Sequence, residues 1–542
     1  MAIVNVYNKL MQCLHDCKTI IMQEKGDNMH NLNICIDNAI EKMSRPIEVA
    51  VIGKISSSKS TLVNALLGKA EVVRTGQMEE TFNVSWIKYG DSNADIKVYF
   101  KDGTMRVIPR GDWIKWTSHQ ESNNLKEKVS YIEVTYQHDI LKRINIIDTP
   151  GLDALSEIDS KNTIAFLKNV QPDAVVMLFT KSIAESTLSV LNDFITVNKD
   201  SSFALSPLNA IGVLAKADTM WSVMHPQKDI VFEGRRVISQ TLYEKYPDVV
   251  HSIFDIFPVS ALMGLAAATI TNDEAELLKE LSLVPDSMLT EMFSSPEFLF
   301  DEEYQVTVSP IDRKKLWEKF GMYGLYVIVE YLKKNTLASR YDISQLLIKK
   351  SGFGVFQRMV ISHFGDRANL IKAQTSIASI KEICHRTRLK EGISKKEILI
   401  IDEIEKTILT TLLSIHEYQE WSYLNKIYSG TEEINAEITD EFLAICGEKG
   451  ASAYERLQMP ATSSITELKM KATERALFWQ RKYNIISMTN PSSAFFIKVM
   501  QTSYNLIINE LTEIGDRMQE AKKALNDCMQ FLYGESINAD RL

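Results

Sequence analysis

Apolar residues recur along this chain with two different periods. Near the start, Tyr7, Leu10, Leu14, Cys17 and Ile21 fall at intervals of 3 and 4, which places them on one helix face. After Gly26, a second face follows in Met29, Leu32, Ile36, Ile40 and Met43, and Pro46 closes it. From about 47 to 335 the pattern changes. Short, almost continuous apolar runs at 47–52, 144–147, 174–179, 210–214 and 253–259 each end in a polar or glycine-bearing turn, with helical patterns between several of them. That alternation predicts a mostly parallel sheet flanked by helices. Segments 84–88, 96–100 and 129–136 read as extra, partly antiparallel strands, and the acidic stretch 271–310, with Pro285, Pro296 and Pro310, as a less regular insertion. From 336 to 542 the pattern is helical almost throughout. Ile398, Ile401, Ile404, Ile408, Leu412 and Ile415 keep helical spacing, as do Tyr504, Ile508, Leu511, Ile514, Met518, Ala521, Leu525, Cys528 and Leu532. Regularity over that length predicts an elongated all-α bundle.

Composition narrows the picture. A chain of 542 residues exceeds one ordinary core, so two to four domains are expected. A net charge of −9 argues against a nucleic-acid partner. The six cysteines form no C-x-x-C pair and read as reduced thiols. The first residues lack the pattern of a signal peptide, and no run of 18 apolar residues occurs, so a cytoplasmic protein without a membrane-spanning helix is expected.

The chemistry concentrates where the apolar runs end. After 47–52 comes GKISSSKSTLVNALLG, residues 53–68. It fits the phosphate-binding pattern G-x-x-x-x-G-K-[ST], except that Ser58 replaces the second glycine. Backbone N–H groups of Gly53, Ser56, Ser57, Ser58 and Thr61, with the following helix N-terminus, would cradle phosphates. Lys59 would reach the β- and γ-phosphates, and the Ser60 hydroxyl would ligate Mg²⁺. The run 144–147 leads into Asp148-Thr149-Pro150-Gly151-Leu152. Asp148 would hold Mg²⁺ through a water, and the Gly151 N–H would sense the γ-phosphate. The run 210–214 leads into Ala215-Lys216-Ala217-Asp218. The Asp218 carboxylate would accept from guanine N1–H and N2–H, which adenine cannot offer, and Lys216 would lay its stem over the base. Asn198-Lys199-Asp200 resembles this element but follows no strand. Finally, 253–259 ends in Ser260-Ala261, whose N–H groups would bond guanine O6. Four such elements in order favour GTP over ATP.

A switch threonine between the first two elements would complete the Mg²⁺ shell. Thr75 and Thr81 are the candidates, and Thr81 is preferred because a strand-like segment follows it directly. Hydrolysis would be an in-line attack of water on the γ-phosphoryl, carried by positioning and charge neutralisation. Leu152, not glutamine, follows Gly151, so Ser56 and the backbone near Thr81 are the candidates for positioning water.

The elements GKISSSKSTLVNALLG, D-T-P-G-L, K-x-D and S-A resemble those of the bacterial dynamin-like large GTPases. Among these the chain resembles the Leo-type proteins associated with enterotoxin secretion. The motifs cover about 40 residues, while the layout resembles the family over the whole chain. The resemblance implies a GTPase head at 46–335, N-terminal helices at 1–45 packing with the C-terminal helix as a neck, and a trunk at 336–542. It also implies GTP hydrolysis, a catalytic role for Ser56, self-association through the heads or with a related GTPase, and peripheral membrane contact through a tip near 420–460. The tip segment itself contains no strongly apolar loop, whereas 485–488 and 494–496 form a more apolar patch. Two rivals remain: a GTP-dependent switch or scaffold with little turnover, and a pseudo-GTPase whose helical region does the work. A ribosome- or tRNA-linked GTPase fits worst.

Two positions depart from consensus. Serine at 58 is expected to strain a turn that favours glycine, by roughly 1–2 kcal/mol. Ala215 lacks the side chain that would tie the base loop to the phosphate loop, a bond worth about 1 kcal/mol. The expectation is a working site of reduced affinity.

Overall fold

The computed structural model describes residues 2–22, 27–53, 57–73, 83–112, 128–150, 172–180, 207–244, 252–429, 435–450, 452–486 and 491–533. The chain divides into two compact units, Met1–Ile408 and Leu409–Leu542.

In the first unit, nine strands form one sheet in the order β4-β3-β5-β2-β6-β1-β7-β8-β9. The central strands are β1 (Ile47–Gly53), β6 (Ile144–Asp148), β7 (Ala174–Phe179), β8 (Ala210–Ala215) and β9 (Ile256–Val259). They run parallel, and every residue in them is buried. Continuous apolar runs are what a sheet covered on both faces requires. The extra strands β2 (Ser85–Tyr89), β3 (Ile96–Phe100) and β5 (Val129–Tyr136) extend one side of the sheet. There β2 runs antiparallel to β6 and parallel to β5, and β3 runs antiparallel to β5. Strand β4 (Met105–Ile108) at the edge was not expected.

Helices α1 (Ala2–Ile21) and α2 (His30–Ser44) bury the predicted faces through Leu10, Leu14, Cys17, Ile21, Leu32, Ile36 and Met43. Helix α3 (Lys59–Leu66) follows β1, and α4 (Ile230–Val237) lies between β8 and β9. After β9 come α5 (Ala261–Thr269), α6 (Asn272–Ser282), α7 (Asp286–Met292), α8 (Pro296–Phe300) and α9 (Pro310–Lys334). The stretch 271–310 is therefore largely helical, not irregular. Thr271 and Glu274 cap α6 reciprocally, and Pro296 and Pro310 occupy first helical turns, where proline is favoured. Leu278, Leu281, Leu289, Met292 and Leu299 share one core with Phe320 and Ile328 of α9. Helices α10 (Arg340–Lys350), α11 (Phe353–Met359), α12 (Ala368–Arg388) and α13 (Lys395–Ser414) complete the unit, α13 running on across the boundary. Helix α2 packs along α12.

The second unit contains α14 (His416–Tyr428), α15 (Ala436–Ile445), α16 (Ala453–Arg456), α17 (Ile465–Ile486) and α18 (Pro491–Tyr533). Tyr423, Phe442, Trp479 and Phe496 build an aromatic centre. Beside it, the Glu441 carboxylate accepts two bonds from Arg475 (2.8 and 2.6 Å), one from Trp479 Nε1 (3.1 Å) and one from the Tyr504 hydroxyl (2.5 Å). On α18 the apolar stripe is buried at Tyr504 and Leu511 but exposed at Ile514, Met518, Leu525 and Leu532. Of the apolar patch, Ala494 and Phe496 are buried, Ile485 and Phe495 are exposed, and 487–490 lie outside the described residues. Only part of that patch, Ala494 and Phe496, is therefore core. No helix among the described residues is long and apolar enough to cross a membrane.

Where strands β1 and β7 begin, five charged groups meet. The buried Asp173 carboxylate accepts from Lys42 Nζ (2.8 Å), Arg45 Nη1 (3.0 Å) and the Glu48 N–H (2.8 Å). Burial alone would raise the pKa of Asp173, but Lys42, Arg45 and these hydrogen bonds hold it below the usual carboxylate range. Glu48, beside it, is pushed up to about 7, burial outweighing the pull of Arg45. Lys372 on α12 donates to Met43 O (2.9 Å) and Arg45 O (2.6 Å), and burial lowers it to about 8. Glu48 is raised on folding from its ordinary 4.5, so its stabilising protonation is full below pH 4.5 and lost as pH rises through 7. Glu48→Gln cannot titrate. Between pH 4.5 and 7 the wild type should therefore lose stability relative to this variant, by roughly 1–3 kcal/mol in urea melts across that range.

Candidate functional site

Strand register decides which loops meet. Val51 pairs with Asp148, and Gly53 with Leu178, so the loop after β1 and the end of β6 lie side by side. Ala215 pairs with Val259, which brings residues 216–218 beside Ser260 and Ala261. All of these loops leave the C-terminal edge of one parallel sheet, where open α/β folds place ligands.

At the first loop, Gly53 tolerates no side chain. A Cβ there would fall 2.8 Å from Ser57 Oγ and 2.9 Å from Leu178 Cβ. Ser58 has φ 68° and ψ 30°, the left-handed conformation that the missing glycine would adopt freely, and its side chain makes no cap bond. Ser57 Oγ is buried and makes no hydrogen bond. Lys59 is only 5% exposed, and its Nζ donates to Gly53 O at 3.2 Å. Buried ammonium and hydroxyl groups converging on a loop this tight suit phosphate oxygens. Ser60 and Thr61 occupy the first turn of α3. Ser56, like Thr75, Thr81 and Gly151, lies outside the described residues.

The Ser60 hydroxyl donates to Asp148 Oδ2 at 2.8 Å, and Asp148 is fully buried. Hydroxyl and carboxylate oxygens brought together are the hard donors that Mg²⁺ prefers. Two residues overlooked in the sequence hold this corner together. Thr149 Oγ1 donates to Val51 O (2.8 Å), clamping β6 to β1 just past Asp148. Asn64 on α3 bonds both the N–H (2.8 Å) and the carbonyl (2.7 Å) of Val73, the last described residue before the segment with Thr75 and Thr81.

On the other side, Lys216 is exposed and also left-handed, with φ 55°. Asp218 receives a hydrogen bond from the Ser260 hydroxyl. Burial raises the Asp218 pKa, against the opposing pull of Ser260 and Lys216. Ser260 caps α5 through Met263 N–H (3.3 Å), and Ala261 begins that helix. Ala215 is buried and carries no polar group. Asp218 and Thr61 line a cavity of about 1140 Å³, together with Trp221, Leu262, Phe293 and Trp317. Its lining is mixed, with Thr219, Ser222, Ser294 and Glu318 beside the aromatic side chains.

Residues 49–217 match the model of the dynamin family. Isoniazid-induced protein IniC of Mycobacterium tuberculosis is 23% identical over 455 residues, spanning 82% of this chain and 87% of that protein. Dynamin-like protein 2 of Campylobacter jejuni is 27% identical over 154 residues, 28% of this chain and 24% of its own. A solved structure of an oligomerised bacterial dynamin pair aligns with 98% of this chain and 79% of its own, at 17% identity and a TM-score of 0.32, too loose a superposition to support an argument. The family match covers the loop after β1, Asp148 and Lys216 of the site described above, so residues 49–217 carry a domain similar to those of the dynamin family.

Proposed function

We propose that the first unit binds GTP with Mg²⁺ and hydrolyses it, and that this turnover drives movement of the helical region in membrane remodelling. The observation that carries the reading is the convergence of Lys59, Ser60 and Asp148 at one end of the sheet edge with Asp218 and Ser260 at the other. The chemistry of these groups suits phosphates at the first end and a base at the second.

In this reading Lys59 neutralises charge on the β- and γ-phosphates, and the Gly53–Thr61 backbone orients them. Ser60 and Asp148, with Thr81, would hold Mg²⁺, which supplies charge neutralisation at the phosphates. Ser56 and the Gly151 N–H would position the attacking water and the γ-phosphate. Asp218 and the Ser260 and Ala261 N–H groups would select guanine. The head at 46–335, the helical region at 336–542, self-association through heads and peripheral lipid contact near 420–460 belong to the same proposal. A link to secretion rests on the resemblance alone.

A second reading is a low-turnover switch that binds protein partners. The strained turn at Ser58 and the apolar Ala215 favour it, since both weaken the hold on nucleotide.

Titration calorimetry with GTP and GDP, beside a phosphate-release assay, tests the nucleotide reading. Lys59→Ala should lose binding at least about tenfold and turnover entirely, because a buried ammonium facing phosphate has no substitute. Wild type that binds neither nucleotide would sink the reading. Binding with no turnover, with or without lipid, would leave the switch. Ser58→Gly should tighten GDP binding by roughly tenfold, relieving the 1–2 kcal/mol left-handed strain. Unchanged affinity would show that serine fits the turn at no cost to binding. Liposomes of graded anionic content should co-sediment the full chain, and no signal at any composition removes the membrane part of the proposal.

A further inference from the structure

The sequence motifs assign the base end of the site to residues 215–218 and 260–261, yet both segments rest on α9. The turn Ala217–Met220 packs against α9, and Trp221 just after it lies 5.9 Å from Tyr323 and 4.8 Å from Tyr326, ring to ring. Helix α5, which starts at Ser260, packs on α9 as well. At its far end Lys319 Nζ donates to Thr269 O (2.8 Å) and to the Glu274 carboxylate (2.7 Å).

Helix α9 breaks where it passes this site. Gly321 has φ 68° and ψ 170°, a conformation essentially confined to glycine. A Cβ built there would lie 3.4 Å from Leu262 Cδ2 and 3.6 Å from Asp218 Oδ2. There is room for the methyl group but not for the backbone that would carry it. Any other residue must redirect the helix at the point where it backs the Asp218 carboxylate.

We infer that Gly321 is a positioning residue for guanine selection: the break it permits in α9 sets the direction from which Asp218 meets the base. This inference rests on the guanine-nucleotide reading above. A carboxylate that accepts from both N1–H and N2–H must keep both oxygens near the plane of the base. Asp218 is held by the Ser260 hydroxyl and backed by α9. When the backing moves, one of the two bonds is lost before the other.

The test is calorimetry with GDP and with IDP, which lacks the 2-amino group. Wild type, Gly321→Ala, Asp218→Ala, the double variant and Tyr326→Ala are compared. Wild type should prefer GDP by about tenfold, the value of one charge-assisted hydrogen bond. Gly321→Ala should bring the GDP:IDP ratio close to one. In the Asp218→Ala background it should cost no further GDP affinity, since the two changes act through one interaction. Tyr326→Ala trims the brace on Trp221 without altering the backbone, and should shift the ratio in the same direction by a smaller factor. It carries the test if Gly321→Ala does not fold. The inference is overturned if the variants keep the wild-type GDP:IDP ratio while only melting earlier. It also falls if Gly321→Ala weakens GDP equally with and without Asp218. Wild type that binds no GDP would overturn the nucleotide reading and this inference together, and that result is distinct from a wild type that binds GDP but whose variants keep its selectivity.

Discussion

Asp173 is fully buried, and Lys42, Arg45 and the Glu48 N–H all converge on its carboxylate. Breaking a buried ion pair from one side costs on the order of 3–5 kcal/mol, because the remaining charge is left without compensation. Helix α2, the start of β1 and the start of β7 therefore stay together or come apart together. Lys372 extends the same constraint to α12 through two backbone carbonyls. A strand paired on both sides cannot stretch, so fixing where β1 begins also fixes where Gly53 ends it. The placement of the loop after β1 thus depends on a cluster of charges at the opposite end of the strand.

At the C-terminal edge the structure stores strain instead. Among the described residues, four that are not glycine have positive φ, and two of them, Ser58 and Lys216, lie in the candidate site. Such conformations persist only where the surroundings over-determine them. At Ser58 the surroundings are β1 on one side and the first turn of α3 on the other. At Lys216 they are β8 and the turn Ala217–Met220. The chain accepts a poorer residue at 58 because the loop path is imposed from both flanks, and local preference is overridden.

The sheet was legible because its central strands are buried on both faces and so appear as unbroken apolar runs. The site loops were legible because each directly ends such a run. Strand β4 was not, since three of its four residues are exposed and it borrows its pairing from β3. The stretch 271–310 was misread because prolines suggested interruption, whereas Pro296 and Pro310 begin helices and their neighbours complete a core shared with α9. Asn64 and Thr149 went unnoticed because their partners, Val73 and Val51, are backbone atoms, and no side-chain pattern marks those.

The limit of motif reading is clearest at Gly321. Nothing around it in sequence suggests a nucleotide site, and a glycine inside a helical pattern ordinarily reads as a modest loss of helix propensity. Its meaning comes from two neighbours far back along the chain, Leu262 and Asp218. The helix that carries it is continuous in hydrophobic pattern but broken in backbone, and only the fold shows what lies across the break. The end of the site proposed for the base has two layers. An inner layer of loops, identifiable by motif, presents the polar groups. An outer wall of α9, visible only in three dimensions, backs them.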